Sequence, residues 1–87
     1  MINSRDVEAL IQDKLPDAQV TVRDPQGDGE HLEAIVISEA FAGQSKVKQH
    51  QMVYGALQAV FDTQVLHALA LRTYTPDAWQ SAVQSAQ

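Results

Sequence analysis

Residues 18–38 read Ala-Gln-Val-Thr-Val-Arg-Asp-Pro-Gln-Gly-Asp-Gly-Glu-His-Leu-Glu-Ala-Ile-Val-Ile-Ser, two strand signals around a turn. Ala18, Val20 and Val22 alternate with Gln19, Thr21 and Arg23, the period of two that a half-buried strand shows because successive side chains point to opposite faces. The run from His31 to Ser38 has the β-branched centre Ile35-Val36-Ile37, which suits a pleated, packed surface. Between them, Asp24-Pro25-Gln26-Gly27-Asp28-Gly29-Glu30 joins turn formers to two permissive glycines. The stretch predicts an antiparallel hairpin with strands at about 18–24 and 31–38.

Outward from the hairpin, helices alternate with one more strand. Upstream, Asn3 can cap a helix, with Ile2 before it and Val7 after it as a hydrophobic staple. Val7, Leu10, Ile11 and Leu15 then form one apolar stripe, which Pro16 ends. Downstream, Ser45 can cap a long helix whose positions His50, Val53, Tyr54, Leu57, Val60 and Phe61 share a face, with Gly55 weakening it. An Asp62-Thr63-Gln64 turn leads into Val65–Tyr74, a third strand. Thr75-Pro76-Asp77 starts a last helix with a hydroxyl cap, a proline where no amide donor is needed and an acid in the first turn. On that helix Trp79 and Val83 share a face. The order is αββαβα in one α+β domain spanning residues 1–87.

Composition narrows the chemistry. The chain has 87 residues and no cysteine, so it offers no disulfide, no thiolate nucleophile and no iron-sulfur cluster held by its own sulfur. The apolar runs Ala34–Ile37 and Ala68–Leu71 are far too short to span a bilayer, and the start lacks a signal-peptide pattern, so a cytoplasmic location is expected. The net charge of -5 is uneven: residues 1–39 hold nine acids against Arg5, Lys14 and Arg23, and only Lys46 and Lys48 approach a basic cluster. A phosphate-neutralising surface usually shows more than that.

His31, His50 and His67 are the side chains able to act both as ligands and as acid-base groups near neutral pH. Their separations of 19 and 17 residues match no local metal motif. His50 lies on the apolar stripe and reads as a partly buried histidine bonded to backbone, and His31 as an exposed residue at a strand start. His67 shares strand parity with Leu69 and Leu71 near the strand's beginning, and by type alone it is open between packing and ligation. The acids of residues 24–39 form a solvated loop and strand face, since nothing in the sequence desolvates one of them. No serine has the Gly-x-Ser-x-Gly setting, and no set of nucleophile, base and stabiliser is complete. An enzyme is not expected. Gly43, Ser45, Lys46 and Lys48 place a loop, a helix start and two lysines together as a phosphate-facing alternative, but Gly43-Gln44-Ser45-Lys46 keeps only the first glycine of a Gly-x-x-Gly grip.

The segments Gly27-Asp28-Gly29-Glu30-His31, Ile35-Val36-Ile37-Ser38, Phe41-Ala42-Gly43-Gln44-Ser45, His50-Gln51-Met52-Val53-Tyr54, Leu66-His67-Ala68-Leu69 and Thr75-Pro76-Asp77-Ala78-Trp79 together resemble the BolA family, over nearly the full chain. The Gly-Asp-Gly-x-His loop and the Val-Tyr-Gly-x-Leu run are similar to its IbaG-like (YrbA) subgroup. The resemblance implies a class II KH-like α+β fold, a three-stranded sheet backed by helices on one face. It also implies partnership with a monothiol glutaredoxin, a 2Fe-2S cluster being held between the two proteins. In that arrangement the glutaredoxin cysteine and glutathione supply sulfur, and this chain supplies His67 and a second ligand from the loop between strands one and two. The isolated chain, a monomer or weak homodimer, would bind no cluster. Residues 24–31 contain no cysteine, and by alignment to the strand Asp28 falls nearer the usual ligand position than His31 does; His31 substitutes, or nothing does. The resemblance further implies, as the alternative, a DNA-binding transcriptional regulator acting through Gly43 to Lys48.

Overall fold

The computed structural model describes residues 3–27, 31–59, 61–62 and 69–85. The elements are α1 (Ser4–Lys14), β1 (Gln19–Arg23), β2 (Leu32–Ile37), a single 3-10 turn (Glu39–Phe41), α2 (Lys46–Leu57), β3 (Leu69–Tyr74) and α3 (Pro76–Ser85). The expected αββαβα order holds. Both hairpin strands are about a residue shorter at each end than the alternation suggests, because pairing runs only from Gln19↔Ile37 to Arg23↔Glu33. Ile2, Asp28, Gly29, Val60 and residues 63–68, which include His67 and the expected first part of strand three, lie outside the described residues.

The sheet order is β1-β2-β3, with β1 antiparallel and β3 parallel to β2. Parallel pairing requires a crossover between β2 and β3, and α2 lies within it. Leu32, Ala34 and Val36 of β2 face the core, joined by Leu69 of β3, Val7 and Ile11 of α1, and Val53 and Leu57 of α2. The intervening residues Glu33, Ile35 and Ile37 point to the opposite, open face. Complete burial of an aliphatic side chain of this size is worth about 1.5–3 kcal/mol, so this cluster sets which face of the sheet is covered.

Local chemistry fixes the element ends. Asn3 caps α1 by accepting from the Arg5 amide at 2.8 Å. Gly27 closes the Asp24-Pro25-Gln26-Gly27 turn by donating to the Asp24 carbonyl at 3.1 Å, and its φ of +67° is one that glycine adopts without strain. Thr75 caps α3, its hydroxyl accepting from the Ala78 amide at 3.1 Å. That helix buries no residue completely and holds to the sheet through Trp79, set edge-on to Tyr74 at 5.2 Å between ring centres.

Asp17 joins β1's approach to the 3-10 turn. Its carboxylate accepts from the Ser38 hydroxyl at 2.8 Å and the Glu39 amide at 2.9 Å. The Glu39 amide and then the Ser38 hydroxyl hold its pKa below the usual carboxylate value. A carboxylate with a lowered folded pKa contributes stability above its unfolded pKa and loses it as pH falls through the folded value. Asp17→Asn is therefore expected to cost about 0.5–2 kcal/mol near neutrality, the scale of a lost cap. Its thermal-melt difference from wild type should close as pH drops below about 4; a difference that stays constant from pH 7 to pH 3 would contradict this.

Candidate functional site

Parallel pairing puts the starts of β2 and β3 at one end of the sheet, with Leu32 opposite Leu69. His31 directly precedes Leu32 and is exposed. His67 is joined to Leu69 through Ala68 alone. In sequence, His31 stands immediately before β2 and His67 two residues before β3. Among the described residues no three His, Asp or Glu side chains gather into a metal site. His31 fits a ligand's role: it is an exposed imidazole, and imidazole suits iron.

The next rung inward carries charge. Arg23, Glu33 and Ala70 are register partners across the three strands, and Arg72 stands opposite Ile35. With Ala34 and Ile35 they surround a hollow of about 170 Å³ on the open face. Sequence reading missed this grouping, since only the register brings residues 23 and 72 together.

The loop before α2 has a different character. Gly43 has a φ of +76°, a conformation that favours glycine. Ser45 caps α2, its hydroxyl accepting from the Lys48 amide at 3.1 Å. Lys46 is engaged within the chain: its ammonium donates to the Thr73 carbonyl and sits over the Tyr74 ring, 4.7 Å from the centre. Lys48 is exposed. Of the two expected phosphate-facing lysines, Lys46 is committed and the Lys48 ammonium has no partner among the described residues. His50 is half-buried as expected, but the helix turns Gln49 inward beside Val53 and Leu57. Gln49 accepts from the Thr73 hydroxyl at 2.7 Å and donates to the carbonyls of Phe41 at 3.3 Å and Gln44 at 2.9 Å. These bonds tie the loop, α2 and β3 into one unit.

None of the described helices is long and apolar enough to cross a membrane. The family model described as BolA-like protein matches residues 7–78. The acid stress protein IbaG of Escherichia coli strain K12 is 32% identical over 78 residues, covering 90% of this chain and 89% of that one. The DNA-binding transcriptional regulator BolA of the same strain is 38% identical over 56 residues, 64% of this chain and 52% of its own length. Among solved structures, a bolA protein homologue from Coxiella burnetii superposes with a TM-score of 0.74 at 36% identity, covering 92% of this chain and 99% of that one. Those similarities and the αββαβα architecture agree with the expected KH-like fold, and the chain belongs to the BolA-like family.

Proposed function

We propose that this chain is a non-enzymatic partner of a monothiol glutaredoxin, sharing a 2Fe-2S cluster through His67 and His31. One observation supports the reading: the parallel register pairs Leu32 with Leu69, residues that follow His31 directly and His67 by two in sequence. Without cysteine, this chain's own ligands can be imidazoles or carboxylates, with thiolates coming from the partner and from glutathione. A cluster with histidine ligands carries less negative charge and has a higher potential than an all-thiolate one, as in Rieske centres. That suits transfer or redox sensing in iron-sulfur trafficking.

DNA binding ranks second. A relative bears that name, but the chain's net charge is -5 and its Lys46 ammonium is bound internally. Few cations at the Gly43–Lys48 loop mean few phosphate contacts there and weak binding at physiological salt. Mixing the chain with cluster-loaded monothiol glutaredoxin should change the visible absorption and circular dichroism of the cluster. A mixture whose spectrum equals the sum of its parts would overturn the proposal.

A further inference from the structure

The hollow on the open face lies one rung inward from the Leu32↔Leu69 pair, beside the end that carries His31. Its two cations come from the outer strands, Arg23 on β1 and Arg72 on β3, and flank the central strand over a floor of Ile35 and Ala70. Both arginines are exposed. Among the described residues no hydrogen bond or ion pair engages either guanidinium. The other four cations do not share this surface: Arg5 and Lys14 are on α1, and Lys46 and Lys48 on α2.

Charge decides what the hollow accepts. The chain as a whole carries -5, so an acidic partner is repelled by most of its surface and favoured at the hollow that both guanidiniums line. A guanidinium presents a planar fork that matches a carboxylate. Glu33 lines the same hollow and offsets one of the two positive charges. The remaining net charge of about +1 is matched by a single carboxylate, whereas a phosphate dianion would leave the hollow with excess negative charge. The apolar floor favours a carboxylate delivered on a side chain.

We propose that the Arg23–Arg72 hollow is a carboxylate clamp that receives an aspartate or glutamate side chain of the docked partner protein and sets its orientation on the sheet edge. This rests on the reading of that edge as the glutaredoxin-docking end. The clamp holds no iron ligand, so it acts on affinity and leaves the cluster's coordination alone.

The test is a spectroscopic titration of the full chain with cluster-loaded monothiol glutaredoxin. The Arg23→Gln, Arg72→Gln double variant should bind about 10- to 100-fold more weakly than wild type, the scale for losing a charge pair across an interface. At saturation it should reach the wild-type spectrum. The gap should narrow between about 50 mM and about 300 mM salt as screening strengthens. An Arg5→Gln, Lys14→Gln control makes the same change in net charge on α1 and should bind within about twofold of wild type, because charges off the contact surface are largely screened. Equal binding by wild type and the hollow variant overturns the clamp alone, as does an equal loss in the control. A wild-type chain that does not bind at all removes the docking edge and the clamp with it. Free glutathione is a further arm: if it shifts the Arg23 and Arg72 side-chain resonances, the hollow belongs to the tripeptide and the partner side chain is overturned.

Discussion

His67→Ala is expected to abolish the spectral change seen when the chain meets cluster-loaded monothiol glutaredoxin. A lost second-shell partner already weakens a metal site by about 10- to 100-fold, so removal of a direct ligand should exceed about 100-fold. His31→Ala should give a partial loss and an altered spectrum, because in the proposed arrangement His31 takes the place of the usual loop ligand, in a segment without cysteine. His31 is exposed, and its replacement should change folding stability by no more than about 0.5 kcal/mol. Thermal melts of the free variants separate ligation from folding. Wild-type spectra from a folded His67→Ala protein would contradict the assignment.

Gln49→Ala is expected to give the largest stability loss outside the apolar core. Gln49 is only 6% exposed and Thr73 only 1%, and its amide meets three polar groups: the Thr73 hydroxyl and the carbonyls of Phe41 and Gln44. Truncation leaves the buried Thr73 hydroxyl without that acceptor and opens space beside Phe41, whose side chain is completely buried. An unsatisfied buried group costs about 1–3 kcal/mol, and with the added void the loss should reach about 2–3 kcal/mol. For a domain of this length that lowers the melting temperature by about 10–20 °C. A Gln49→Leu, Thr73→Val double variant should recover part of the loss, since removing both partners of a buried bond is far less costly than removing one. A melting temperature within about 2 °C of wild type for Gln49→Ala would show that the network adds little.

What the sequence disclosed was mostly what its neighbours in the chain determine. Asn3, Ser45 and Thr75 each cap the helix that follows, because the hydroxyl or amide reaches an amide two or three residues on. The β1–β2 hairpin was legible from its alternation and its Asp-Pro-Gln-Gly turn. The α2 surface was harder. Gln49, 53 and 57 form the buried row, yet a glutamine looks solvent-facing until the Thr73 hydroxyl and two loop carbonyls are known to meet it. Asp17 likewise reads as a plain loop acid, and its partners Ser38 and Glu39 are more than twenty residues away. The site follows the same division. His31 and His67 were visible by type and family pattern, but that the strands following them start side by side comes from the parallel β2–β3 pairing. Arg23 and Arg72 were invisible as a pair because two strand registers join them.

The sharing of a cluster through imidazole can be read at the iron itself. This chain is labelled with ¹⁵N-histidine, combined with unlabelled cluster-loaded monothiol glutaredoxin, reduced, and examined by pulsed electron paramagnetic resonance. Strong ¹⁵N hyperfine coupling that appears with the labelled chain and disappears in its His67→Ala variant is the expected result. A reduced cluster in a verified complex, with no coupling to any nitrogen of this chain, would contradict it.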